Sequence, residues 1–599
     1  MSDFPYGATT LVDGGVHFRV WAPNVQSLAV KRGDRLISMT RAGEDFEIFA
    51  ADARPGDSYS LVLDGTRERP DPVSRSQPNG VHGPSQVVDP HAFRWSDHEW
   101  KGIALEDYIF YELHVGTFTP EGTFAGVISK LAHLKALGIT AIELMPVAEF
   151  PGARNWGYDG VDLYAPHSAY GGPDGLKKLV DAAHREGLAV VLDVVYNHLG
   201  PEGNYLGEFG PYFTDHYRTP WGRAINFDGP GSDGVRRFFI ENALYWLNEF
   251  HMDALRLDAI HGIFDFSALH ILAELGERFH SEAAILGRQA WVIAESDLND
   301  VRVIKPISEG GHGLDAQWHD EFHHSVVSFL TGANRGFLGG FGKLDHVRKA
   351  ICEGFVYDGV YSAHRQRRFG SSAIGQPGSR FVVFLQNHDQ VANTSQGSRL
   401  SQLVPLDQLK AAVALMLCSP YLPLLFMGEE FADSAPFLYF TSHGDPALAR
   451  AVSEGRRQEF ADFAGASEFL DPQSVETFEK SKLTWALETE QLHMDVLRLY
   501  RDLIALRKQW PCLSNCRKDL SRVEVNQEER WLRMERGDPG GSQAILLCNF
   551  GDRPVTENLP DSKDGWQVAL RVDSVATLYV GQKNPYPPMN ADKASPLSS

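Results

Sequence analysis

Three carboxylates close short apolar runs in this chain. Asp258 ends Ala254-Leu-Arg-Leu-Asp, Glu295 ends Trp291-Val-Ile-Ala-Glu, and Asp389 ends the polar Gln386-Asn-His-Asp that follows Phe381-Val-Val-Phe-Leu385. Cleavage of an acetal needs one group to protonate the leaving oxygen and another to stabilise or capture the oxocarbenium-like centre, which paired carboxylates supply. Asp258 and Glu295 are such a pair, and a separation of roughly 5 to 5.5 Å would give retention through a covalent glycosyl intermediate. Arg256 stands two residues before Asp258, hence on the same face of a strand, where it can keep that aspartate ionised. Glu295 needs the opposite treatment, a raised pKa, if it is to begin as an acid. A lone acid at a strand end is more often a cap or an ion-pair partner; three of them in equivalent places point to catalysis. A fourth polar segment, Asp193-Val-Val-Tyr-Asn-His198, closes another apolar run. His198 beside Asn197 and His388 beside Asp389 are read as sugar contacts rather than backbone-bonded core histidines, while Asp193 fits structural support and substrate contact equally.

The elements that must position these groups come from the texture of the chain. From about residue 105, apolar runs alternate with helical stretches, which means parallel strands joined by helical crossovers. Candidate strands fall at Tyr108–His114, Ala141–Met145, Ala189–Val194, Ala254–Asp258, Trp291–Glu295, Leu314–Trp318, Phe381–Leu385 and Pro423–Met427. Eight strands suggest a closed (β/α)8 TIM barrel, where reactive side chains project from the C-terminal strand ends. The expected organisation is α/β: an N-terminal β-sandwich over 1–100, the barrel over 101–509 with a Gly, Pro and aromatic-rich excursion at about 199–232, and a C-terminal antiparallel β-domain over 510–599. The first segment alternates apolar and polar residues, as in Val16-His-Phe-Arg-Val-Trp21, between Pro and Gly turns, and the last returns to short β-runs. From Gln582 onward, the Pro, Asn and Ser content predicts a frayed tail.

The formal charge of −22 opposes nucleic acid and anionic membrane surfaces. Five cysteines without zinc-type spacing read as reduced thiols of a cytoplasmic protein, and no apolar run reaches membrane-spanning length. The oligomeric state leaves no signature in these patterns.

The four polar segments, in this order and strand context, resemble the four signature regions of the α-amylase superfamily of retaining glycoside hydrolases. That resemblance implies Asp258 as nucleophile, Glu295 as general acid/base and Asp389 as the stabiliser that binds sugar hydroxyls. It implies His198, Arg256 and His388 as residues that bond the same sugar or position the nucleophile. Tyr158, in Trp156-Gly-Tyr-Asp159, resembles the tyrosine that stacks beneath that sugar. Asn197 matches a calcium ligand of many α-amylases, but Asp258-Ala-Ile-His-Gly262 departs from the Asp-Ala-x-Lys-His pattern, so no metal and no cofactor are expected.

Further stretches are most similar to the maltooligosyltrehalose trehalohydrolases: Asp71-Pro-Val-Ser-Arg75, Ala294-Glu-Ser-Asp-Leu-Asn-Asp300, Gln317-Trp-His-Asp-Glu321 and Gly455-Arg-Arg-Gln-Glu-Phe460. Such enzymes are implied to act on maltooligosyl trehalose, giving trehalose and maltooligosaccharides. A glycogen branching enzyme is the nearest alternative, although Asn387-His-Asp-Gln390 stands where branching enzymes carry Ser-His-Asp-Glu. A general α-glucanase shares the same trio, and a non-catalytic glucan-binding barrel would have lost it. Trp318, His319, Asp320 and Glu321 are open between product contact and loop packing. Glu429 and Glu430 are expected to bond loops or neighbours, and Arg456 with Arg457 either grips sugar hydroxyls or forms a solvated helix face.

Overall fold

The computed structural model describes residues 5–394, 396–461, 470–555, 566–572 and 575–582. The tail expected to fray beyond Gln582 lies outside the described residues. Eight parallel strands close a barrel in chain order: β1 Phe110–Leu113, β2 Ala141–Leu144, β3 Ala189–Val194, β4 Ala254–Leu257, β5 Trp291–Ala294, β6 Ala316–Trp318, β7 Phe381–Val383 and β8 Leu422–Phe426. Each overlaps a run read from the sequence. Asp258 and Glu295 sit one residue past β4 and β5. Strands this predominantly apolar are covered on both faces, and helices supply the outer cover. The crossover from β1 to β2, helix Phe124–Leu137, begins with Thr123 accepting from the Gly126 N–H and ends at Gly138, whose φ of 101° a side chain would resist.

Two compact units divide the chain. One comprises Met1–Trp318, Gln386–Gln402 and Leu424–Met494; the other comprises His319–Leu385, Leu403–Pro423 and Asp495–Ser599.

In the first unit, Val16–Trp21 pairs with Gly7–Thr10 and Asp45–Ala50, and Leu28–Arg32 pairs with Arg35–Ser38 and Ser58–Leu63, all antiparallel. The two sheets meet where Phe18 sets its ring against Tyr59 at 4.9 Å. Alternate positions of Val16–Trp21 are covered too: Arg19 donates to Asp45 at 2.6 Å and lies over the Tyr6 ring. Trp21 bonds Glu44 through its indole N–H and packs on Gly234, where a Cβ would stand 2.1 Å from the ring. Gly234 belongs to helix Ser232–Glu249, which leads into β4. The excursion before that helix carries the hairpin Phe213–Thr219 and Gly222–Ile225.

In the second unit, a five-stranded antiparallel sheet runs in the order Ser521–Asn526, Trp531–Gly537, Ser542–Asn549, Ala576–Gln582, Trp566–Val572. Buried Arg507 donates to the carbonyls of Leu417, Ser419 and Tyr421, so the helix before the sheet satisfies backbone groups that water does not reach.

Candidate active site

Arg256, on β4, is 2% exposed and serves three acids at neighbouring strand ends. Its Nη1 donates to both oxygens of Asp193, at 3.0 and 2.9 Å, and to Asp258 Oδ1 at 2.7 Å. Its Nη2 stands 3.7 Å from Glu295 Oε2, and the guanidinium lies 4.2 Å from the centre of the Trp318 ring. Three carboxyls around one cation leave an excess of negative charge in a buried place, which favours protonation of one of them. Burial, reinforced by Asp258 and opposed by Arg256, raises the Glu295 pKa above the ordinary glutamate value. Burial likewise lifts Asp193 to about 7, against the pull of Arg256. The Ala259 N–H donates to Glu295 Oε2 at 2.5 Å, and Ala259 turns into left-handed backbone, φ 39°, directly after Asp258. A non-glycine residue held there stores strain beside the two carboxyls.

Tyr158 and His388 form the adjoining wall. The Tyr158 hydroxyl donates to Asp193 Oδ2 at 2.7 Å and lies 2.9 Å from His388 Nε2, so that nitrogen must carry a proton. The other ring nitrogen, Nδ1, bonds Glu112 Oε1, and the His388 backbone N–H donates to Glu112 Oε2 at 3.1 Å. Burial works to lower the His388 pKa, but the Glu112 carboxylate overrides it and the net shift is upward. Glu112 therefore favours the protonated ring of His388, which stands between a carboxyl group and a phenol.

Glu112 had no place among the residues singled out by sequence. Its signal was a charged residue inside an otherwise apolar strand, which has to find a buried partner. Glu143, its neighbour in register on β2, is pushed well above the carboxylate range by burial and by Glu112.

His198 uses Nε2 on the Tyr158 carbonyl at 3.0 Å, so what it holds directly is the backbone that carries Tyr158. Its ring stacks at 5.5 Å on Trp221 from the excursion hairpin, which is 41% exposed. Asp389 lies in the short helix His388–Ala392, where the Asn387 side chain accepts from the Gln390 N–H at 3.0 Å. Unlike Asp258 and Glu295, Asp389 is exposed; its Oδ1 accepts from Asn393 Nδ2 at 2.9 Å.

The segment at the end of β6 divides. Trp318 backs Arg256. His319 is packed among Phe355, Phe381 and Tyr421, and Glu321 accepts from the Val356 and Tyr357 N–H groups, so these two support a loop. Glu429 accepts from the Phe426 N–H and Glu430 from the Tyr111 hydroxyl, as neighbours rather than reactants. Among the described residues, no group of three or more His, Cys, Asp or Glu side chains is arranged to hold a metal ion, and no helix is long and apolar enough to cross a membrane.

A carboxyl whose pKa burial raises, a second carboxyl bonded to an arginine, and an aromatic wall beside them suit acetal cleavage. Comparison with known proteins points the same way. The Alpha amylase, catalytic domain family matches residues 74–219. A malto-oligosyltrehalose trehalohydrolase from Saccharolobus solfataricus is 47% identical over 88% of this chain and 90% of its own length. One from Rhizobium sp. is 42% identical over 96% of this chain and 99% of its own. A crystal structure from Salmonella typhimurium, provisionally named an alpha amylase, superposes with a TM-score of 0.89 at 40% identity, covering 96% of this chain and 99% of that one.

Proposed function

The chain belongs to the malto-oligosyltrehalose trehalohydrolase family, glycosidases with an alpha-amylase catalytic domain, and we propose that it hydrolyses the α-1,4 bond next to the terminal trehalose of malto-oligosyl trehalose, with retention. Asp258 attacks the anomeric carbon while Glu295 gives its proton to the glycosidic oxygen, and trehalose leaves. The glycosyl ester on Asp258 is then attacked by water, whose proton passes to the Glu295 carboxylate. The malto-oligosaccharide departs and both acids return to their starting states. Asp389 takes hydroxyls of the distorted sugar, and Tyr158 lies against its face. The observation that carries this reading is the sharing of Arg256: it bonds Asp258 at 2.7 Å and stands 3.7 Å from Glu295, whose pKa burial raises. One carboxyl is thus bonded to a cation and the other is favoured in its acid form, which suits the division of labour that retention needs.

All five cysteines are free thiols, which supports a reducing compartment, and we place the protein in the cytoplasm. The test offers the purified protein malto-oligosyl trehalose and the matching malto-oligosaccharide, and assays trehalose, anomeric configuration and new α-1,6 branches. Preferential trehalose release, lost in Asp258→Asn with folding intact, is expected. Equal hydrolysis of both substrates would reduce the reading to a general α-glucanase. Branch formation, or full activity in Asp258→Asn, would overturn it.

A further inference from the structure

Asp389 stands in the open, so its orientation depends on what grips it from behind. Asn393 Nδ2 donates to Asp389 Oδ1 at 2.9 Å, and Asn393 Oδ1 accepts from Arg456 Nη1 at 3.2 Å. Arg456 Nη2 donates to the Ala392 carbonyl at 2.9 Å, so one guanidinium spans two consecutive residues of the turn that follows Asp389. A guanidinium has donors only, hence the amide atom facing Arg456 is the oxygen and the atom turned toward Asp389 is the NH2. The arginine decides which way the amide points. With the amide reversed, its carbonyl would meet the carboxylate, two acceptors with no proton between them.

Arg456 is itself held in place. Its guanidinium lies 5.3 Å from the Tyr439 ring, Tyr439 sets its edge on Trp156 at 5.2 Å, and Trp156 meets the His388 ring edge-on at 5.4 Å. The residue lies on helix Pro446–Ala461, far in sequence from the acid it steadies.

We propose that Arg456 is a positioning residue which, by fixing the Asn393 amide, holds Asp389 with one oxygen occupied and the other presented to the distorted sugar. This rests on the reading of Asp389 given above. Because Asp389 grips the sugar most strongly as it distorts, loss of its orientation acts on kcat rather than KM.

The experiment measures kcat, KM and the unfolding midpoint for Asp389→Asn, Asn393→Ala, Arg456→Met, Arg456→Lys and the Asn393→Ala/Arg456→Met double variant on malto-oligosyl trehalose. Asn393→Ala and Arg456→Met are each expected to lower kcat about 10-fold, the scale of losing one oriented hydrogen bond, with KM within about twofold. The double variant should fall no further than Asn393→Ala alone, since both act along one path. Arg456→Lys should recover part of kcat, because an ammonium can still donate to Asn393 Oδ1.

Wild-type kcat in Arg456→Met, or fully multiplied losses in the double variant, overturns the inference while Asp389→Asn remains inactive. Wild-type kcat in Asp389→Asn instead overturns the reading on which it rests. If Arg456→Met does not fold, Asn393→Asp replaces it. That change keeps an acceptor for Arg456 but turns a second carboxylate toward Asp389, so a kcat loss of about 10-fold is expected and an unchanged kcat refutes the proposal.

Discussion

Glu112→Gln separates the charge of His388 from its place. Glu112 accepts from two donors of one residue, the His388 backbone N–H and the ring Nδ1. Glutamine is nearly isosteric and can satisfy both sites in a different way. Its oxygen accepts from the backbone N–H, and its NH2 donates to Nδ1 of a neutral imidazole whose proton sits on Nε2 and still serves Tyr158. The variant should therefore keep the fold and lose the imidazolium.

The size of the effect follows from the relay. His388 Nε2 and Asp193 Oδ2 both bond the Tyr158 hydroxyl, at 2.9 and 2.7 Å, so they lie at most 5.6 Å apart. A full charge at that distance, with an effective dielectric constant of about 20, is worth about 3 kcal/mol to an ionised Asp193. Removing it raises an Asp193 pKa that already stands at about 7, and weakens the anion that anchors Arg256. Part of that energy reaches the transition state, so a loss of about 10- to 100-fold in kcat/KM near pH 7 is expected. The unfolding midpoint should move by only a few degrees. Histidine NMR gives the direct readout: the His388 ring should lose its proton at a lower pH in the variant than in the wild type. A wild-type kcat/KM, or an unchanged His388 titration in Glu112→Gln, refutes the reasoning.

Further expectations concern Glu295 and the acid pair around His184. In the proposed mechanism Glu295 starts protonated, so kcat/KM should fall as pH rises through its raised pKa, and Glu295→Gln should remove that alkaline limb along with about 10²- to 10⁴-fold of rate; a limb that persists in the variant assigns it to another group. Buried His184 bonds Asp97 at 2.8 Å and Asp253 at 2.9 Å. Its pKa is raised: burial acts to lower it, and Asp253 with Asp97 overrides that. Its contribution is then full below about pH 6.5 and fades as pH rises through the folded value. His184→Leu should cost about 3–5 kcal/mol at pH 6, less at higher pH, measured by calorimetry; a cost independent of pH would deny the imidazolium.

The barrel strands were legible because each is a short apolar run between polar breaks, and the acids were legible because Asp258 and Glu295 sit where such runs end. Arg256 followed from the two-residue period, and its bond to Asp258 has the expected partner. What the chain hides is pairing across distance. Glu112 looks like one stray charge in Phe110–Leu113 until His388, 276 residues on, is folded against it. Arg456 sits on a helix whose pattern suits a wet face, and nothing local marks Asn393 as its partner. Asp193 was balanced between two readings because a strand-end acid looks the same whether it meets a sugar or an arginine. The segment from Trp318 to Glu321 stayed open for a related reason: aromatic and charged residues serve packed loops and sugar subsites alike.

Trp21 lodged against Gly234 has a consequence for how the protein is made. The ribosome releases the indole about 210 residues before the glycine that receives it, which at roughly 5–20 residues per second is about 10–40 seconds. Glu44 emerges early enough to engage the indole N–H, but the apolar edge waits. During that interval the nascent chain carries an aromatic edge whose cover comes only with the helix that leads to Asp258.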